Sequence, residues 1–308
     1  MFSKYLDPKN DYAFKQVFGT EKNKKILIAF LNDMVVFEKP IVDVTFLKTH
    51  QDPEIASKKM SIVDVLCKDQ DGTLYIVEMQ VADQQGFEKR AQYYAAKAYI
   101  SQMNSGDPLY QDLKEVIFLA ITDFVMFPEK EAFKSDHVIL DKDSFEHDLR
   151  AFSFTFLELG KFHKTQDQLV SMVDKWAWFF KNAATTSQED LAALFHEDTA
   201  IVEAYEAVNR FHWNEESMMI YEDVLKRDRD HHAILNASME KGIAKGIAVG
   251  RAEGISVGRA KGKAEGRAEG IAEGAHQKAL DMAKKLLARG MSSEEVSELT
   301  GLEQKDIV

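Results

Sequence analysis

Glycine and proline fall into three regimes along this chain, and their distribution limits the fold more than any other property. All five prolines lie at or before Pro128, and between Gly160 and Gly242 there is neither residue. Nothing in that stretch breaks a helix. From Gly242 to Gly274 glycine then recurs at every fourth position. These regimes predict a mixed first part over 1–160, a helical extension over 161–240, a glycine-repeat helix or linker over 241–275, and a small helical tail over 276–308. A chain of 308 residues is long enough for one substantial core with appendages.

Within the first part the hydrophobic period changes repeatedly. A helix is expected from about Asn10 to Phe18, stopped by Gly19, with Thr20 capping a second helix through IAFLNDM. Strand-like runs follow at IVDVTFLK, SIVDVLCK, TLYIVEMQV, EVIFLAITDF and AFSFTFLEL, with a helix from about Phe87 to Met103 between the third and fourth. Alternating helices and strands predict an α/β fold. Beyond Gly160, LVSMVDKWAWFFK, TAIVEAYEAVNRFHW and MMIYEDVLK carry apolar residues at helical spacing, and Trp176, Trp178, Phe179 and Phe180 read as helical core.

The segment SIVDVLCKDQDGTLYIVEMQV carries the chemistry. Read as a hairpin with the loop Gln70-Asp71-Gly72, it pairs Asp69 with Thr73. Counting back along both strands sets Asp64 opposite Glu78, and the two-residue side-chain period puts Gln80 on the face of Glu78. Both strands are otherwise apolar, so two carboxylates would be partly buried and would repel each other. A divalent cation such as Mg²⁺ or Mn²⁺ offsets that repulsion, and one held there would activate water for attack on a phosphodiester. The alternative is an ordinary solvated sheet face, and the spacing alone leaves it open.

Other residues add to the motif. LDPKNDYAFKQVFG from Leu6 to Gly19, Asp64 in IVDV, the E-x-Q element Glu78-Met79-Gln80, and RAQYYAAKAY from Arg90 to Tyr99 together resemble the PD-(D/E)XK nuclease superfamily. Within it, they are similar to the recombination-promoting nuclease and transposase family. The resemblance covers roughly residues 4 to 160 and extends to the glycine-repeat tail. It implies a restriction-endonuclease-like mixed sheet flanked by helices, with a helical C-terminal extension. It also implies a Mg²⁺-dependent endonuclease acting on DNA, linked to recombination or mobile elements. Carried onto this sequence, it makes Asp64 and Glu78 metal ligands, Asp11 an additional acid for metal or its waters, and Gln80 the counterpart of the usual lysine. Val63 stands where the superfamily name has proline, and Gln80 cannot supply a cation or transfer a proton. The proline is dispensable because the carboxylate, not its neighbour, binds metal, and the family resembled commonly has Gln at this position, so the resemblance implies a variant, slower site and not a dead one. The alternative from another class is a nuclease fold that has lost turnover and serves as a DNA-binding or assembly module.

Lys15, four residues from Asp11, would pair with that acid or meet a phosphate, and the pair is favoured. Arg90, Tyr94 and Lys97 share a helix face and read as surface residues that could touch a DNA backbone. The net charge of −12 argues against broad coating of nucleic acid, although Lys4, Lys9, Lys15, Lys22, Lys24 and Lys25 make the start locally basic. No run approaches the roughly 18 apolar residues of a membrane span, the first residues turn polar too soon for a secretory signal, and a cytoplasmic protein is expected. Cys67, the single cysteine, reads as a small buried thiol.

The nine repeat glycines would cost a lone helix about 1 kcal/mol each relative to alanine. As a helix they would form a ridge of small residues, drifting about 40° per repeat, that suits self-association into a homo-oligomer. A flexible charged linker is the other reading. After the ridge, two helices are expected around Gly290, with a capping box from Ser292 to Glu295.

Overall fold

The computed structural model describes residues 3–37, 39–51, 61–103 and 109–307. The chain divides into two compact units, residues 1–228 and 229–308. In the first, Asn10 accepts the backbone N–H groups of Tyr12 and Ala13 and so starts α1 (Asp11–Phe18). Thr20 precedes a single 3₁₀ turn without capping it, because its hydroxyl donates back to the Gln16 carbonyl, and α2 begins at Lys24 (Lys24–Met34). The expected Thr20 cap is therefore replaced by this local hydrogen bond.

Strands β1 (Val44–Phe46), β2 (His50–Gln51), β3 (Ser61–Ile62), β4 (Val65–Asp69) and β5 (Leu74–Gln80) come next. Helix α3 (Phe87–Ile100) leads to β6 (Val116–Thr122), β7 (Lys134–Ile139) and β8 (Leu149–Glu158). Six of these strands form one mixed sheet in the order β1-β4-β5-β6-β8-β7. Pairs β5/β6 and β6/β8 are parallel and the remaining neighbours antiparallel. Strands β2 and β3 pair separately. Strand β7 is the sequence's surprise: KSDHVI is largely polar, half of it exposed and none of it buried, as suits the outermost strand of the sheet, and carries no clean alternation.

Helices cover both faces. On one, α1 and α2 pack with α4 (Met172–Asn182), α5 (Gln188–Phe195) and α6 (Thr199–Ala207) around Phe14, Phe18, Phe30, Trp176 and Phe180. Trp176 is fully buried and donates from its indole to Asp33 at 2.7 Å; Phe179 and Phe180 are buried with it, and Trp178 packs partly buried against the same core. On the other face α3 lies flat against the sheet, its Ala91, Ala95 and Ala98 giving the backbone close access to Ile76, Phe118 and Phe156. Cys67 is buried, and burial pushes its thiol up to about 12.

Helix α7 (Glu215–Leu287) contains all nine repeat glycines, and none has another group within 4 Å of where a Cβ would stand. In the second unit α7 ends before Gly290, which takes a positive φ of 86°. Ser292 then opens α8 (Ser293–Thr300) with the expected capping box, and Ala283, Val296, Leu302 and Ile307 close a small core. Among the described residues no helix is long and apolar enough to cross a membrane.

Candidate active site

The β4–β5 hairpin has the register read from its turn. Cys67 faces Tyr75, Val65 faces Val77, and the Asp69 N–H donates to the Thr73 carbonyl at 3.0 Å. Gly72 has φ +89°, a left-handed conformation that this turn demands and other residues resist. Asp69 fastens the loop by accepting the N–H groups of Asp71 and Thr73 and the Tyr75 hydroxyl.

At the other end of the hairpin the strand expected from Ser61 to Lys68 is interrupted, and Asp64 sits in the bend between β3 and β4. Its row of the ladder is completed by side chains: the Asp64 N–H donates to Glu78 Oε1 at 3.2 Å, and the Met79 N–H donates to Asp64 Oδ2 at 2.9 Å. The carboxylates themselves act as strand partners, which releases the chain ahead of Asp64 to pair elsewhere. Asp64, Glu78 and Gln80 thus come together.

Glu78 is only 3% exposed and the Asp64 side chain 13%. Burial raises the Glu78 pKa, and the neighbouring Asp64 charge raises it further. Burial likewise raises that of Asp64, opposed by the Met79 N–H and by Lys15. Glu78 therefore resists holding its charge beside Asp64, while Asp64 is disfavoured by burial and by Asp11.

Lys15 enters from α1. Its ammonium lies 2.6 Å from Asp11 and 3.3 Å from Asp64 Oδ1, bridging the two acids. The expected Asp11 pair is present, and the contact to Asp64 is additional. Burial works against the ammonium, but the hydrogen bonds and charges of Asp11 and Asp64 prevail and its pKa is raised. Gly19 ends this helix tightly: its N–H donates to the Lys15 carbonyl at 2.8 Å, and a Cβ there would stand 2.9 Å from that oxygen. Asp11 itself is 57% exposed at its side chain and meets Asp64 through Lys15.

Arg90 was read as a surface residue. It instead points inward, its Nη2 donating to Gln80 Oε1 at 2.5 Å, while the Gln80 amide donates to Glu78 Oε2 at 3.2 Å. No local pattern announces a contact between a helix and a strand, although Arg90 opens the RAQYYAAKAY motif. The basic start of the chain is partnered too. Lys9 pairs with Asp123 and Lys24 with Asp43, each at 2.8 Å, so these lysines do not form a bare cationic rim.

Among the described residues no three His, Cys, Asp or Glu side chains are gathered as a metal-holding group. Asp64 and Glu78 remain a pair of hard oxygen donors, one partly and one fully buried, of like charge and joined across one row. That donor set fits a divalent cation which keeps several of its own waters.

The family described as PD-(D/E)XK nuclease family transposase matches residues 8–238. No curated protein and no solved structure matches the chain. The mixed sheet, its flanking helices and the match over most of the chain lead to one statement: the chain belongs to the PD-(D/E)XK nuclease family transposases.

Proposed function

We propose that the chain is a metal-dependent endodeoxyribonuclease that hydrolyses DNA phosphodiesters in recombination or the movement of genetic elements. The observation that carries this reading is the Asp64–Glu78 pair, a partly buried and a fully buried carboxyl group set against each other across one ladder row, where the Asp64 charge raises the Glu78 pKa. Asp64 and Glu78 would hold Mg²⁺ or Mn²⁺, with Asp11 reaching its waters. Such an ion, when bound, lowers the pKa of a coordinated water and stabilises charge on phosphoryl oxygens. Lys15 offers an ammonium to the oxygen that Asp64 exposes, and Gln80 orients what lies beside Glu78.

The test is supercoiled plasmid incubated with Mg²⁺, Mn²⁺ or EDTA, beside Asp64→Ala. Cleavage that needs the metal and vanishes in the variant supports the nuclease. Intact plasmid throughout, with DNA binding retained, supports the second reading, a nuclease fold kept as a binding or assembly module. Gln80 in the usual lysine position is what favours that alternative.

The bare glycine ridge of α7 supports self-association. Ile243, Ile247, Ile255 and Ile271 stand beside the glycines, each at least half exposed. In sedimentation the full chain should run as an oligomer, and Gly258→Leu should dissociate it; an unchanged mass would remove this reading. A nuclease that cuts cellular DNA would work in the cytoplasm, and that is the location this reading assigns.

A further inference from the structure

The Gln80 amide can face the acids with either end, and the two ends do opposite things. Its carbonyl oxygen toward the site would be a ligand for a hard cation. Its NH₂ toward the site would donate to a carboxylate, a water or a phosphoryl oxygen. The terminal amide torsion is soft, so the strand does not choose between them.

The neighbours choose. A guanidinium has donors only, so the Gln80 atom that lies 2.5 Å from Arg90 Nη2 is the oxygen. That turns the nitrogen to Glu78 Oε2 at 3.2 Å, where a carboxylate accepts. Both ends demand the same orientation. Arg90 is itself held: Nη1 donates to Gln84 Oε1 at 2.6 Å, and the guanidinium stacks 4.8 Å from the centre of the Phe87 ring. Its Nε is buried without a partner, so the guanidinium is fixed by its two Nη bonds and its stacking.

We propose that Arg90 is a positioning residue which pins the Gln80 oxygen and so presents the Gln80 NH₂ to the site as a charge-polarised donor beside Glu78. This rests on the nuclease reading for its purpose, though not for its geometry. Gln80 then does with an oriented amide what the lysine of the E-x-K pattern does with an ammonium. Lysine donates at every rotation and needs no orienting partner; glutamine needs one, and Arg90 is it.

The experiment uses the full chain and two readouts. Arg90→Met keeps an apolar stem against Phe87 while removing every donor. In glutamine-¹⁵N-labelled protein, the Gln80 side-chain signals, identified by their loss in Gln80→Ala, should shift in Arg90→Met and exchange with solvent at least tenfold faster. Lys97→Ala should leave them in place. In plasmid cleavage with Mn²⁺, Arg90→Met should lose at least tenfold in rate. The double variant Arg90→Met/Gln80→Lys should recover to within threefold of Gln80→Lys alone. Unmoved Gln80 signals, or a double variant as slow as Arg90→Met, would overturn the proposal and leave Arg90 as a DNA or packing contact. If Arg90→Met does not fold, Gln84→Ala frees one arm of the guanidinium and should move the same signals by less. A wild type that cuts nothing while Arg90→Met still moves the Gln80 signals would keep the orientation and defeat the nuclease reading.

Discussion

Glu78 and Glu158 occupy the same sheet, and both are buried, at 3% and 0% exposure. Glu158 ends β8, opposite Thr122, which in turn faces Gln80 in the parallel ladder. It accepts the Met126 N–H at 2.6 Å, the Phe127 N–H at 3.0 Å and the Lys161 ammonium at 2.8 Å. Lys161 also donates to the Phe127 carbonyl at 2.7 Å. Every strong partner this carboxylate needs comes from the chain, and it fastens the turn that leaves β6. Glu78 has one backbone N–H, one side-chain amide and the charge of Arg90 behind that amide, set against a second carboxylate opposite it. Burial alone therefore does not mark a site. An acid fully compensated by the chain is scaffold, and a pair of acids that share only part of the positive charge they need leaves room for a cation.

The sharpest way to break that comparison is to neutralise each acid with little change of shape. Asp64→Asn and Glu78→Gln should each lower metal-dependent plasmid cleavage by about 10²–10³ or more, the scale on which charge-stabilising groups act. Glu158→Gln, assayed where it is folded, should stay within tenfold of wild type. If Glu158→Gln loses as much while its melting curve is intact, the division between scaffold and site is wrong.

Stability should divide the two acids the other way. Glu158→Ala leaves Lys161 buried without its carboxylate, a loss of about 3–5 kcal/mol. Urea denaturation would show it as a lowered midpoint. Asp64→Asn should show no such fall, and an equal loss in both would mean that Asp64 is as structural as Glu158.

Adding the cation tests the pair directly. Mn²⁺ at about a hundred times its dissociation constant should stabilise the wild type by about 2.7 kcal/mol. Asp64→Asn and Glu78→Gln should gain little or nothing, and Glu158→Gln should gain as much as wild type. Equal stabilisation of all four chains would place the metal elsewhere.

How far these residues could be read from sequence follows from where their partners lie. Asp64 opposite Glu78 was legible because one turn, Gln70-Asp71-Gly72, fixes every pairing along the hairpin. The interruption at Asp64 was not, since SIVDVLCK reads as unbroken strand and the side-chain bonds to Met79 and Glu78 that permit the bend come from the other strand. Glu158 gave no signal at the end of AFSFTFLEL, because its compensation comes from a turn some thirty residues earlier and from Lys161. Lys15 was legible only as far as its own helix, where Asp11 lies one turn away; its reach to Asp64 depends on how α1 packs against the sheet, which no local spacing shows. Strand β7 was missed because its exposed edge position leaves no apolar alternation to detect.

The smallest effect carries the clearest sign. Glu78 has a raised pKa in the folded protein, so folding without metal takes up a proton that the unfolded chain has released above its ordinary value of 4.5. Below that pH both states are protonated and Glu78 imposes no penalty. As pH rises toward the raised folded value the penalty grows, and above that value it is complete. The raised pKa of Asp64 adds in the same direction. In EDTA, Glu78→Gln should therefore be more stable than wild type at pH 8, by on the order of 1 kcal/mol, and the gap should close near pH 4. For a unit of this size that is a rise in Tm of about 2–4 °C. Saturating Mn²⁺ at pH 8 should reverse the order, because only the wild type keeps both carboxylates to meet the ion. A Glu78→Gln chain that melts below wild type in EDTA at pH 8 would show that Glu78, like Glu158, is compensated by the protein itself.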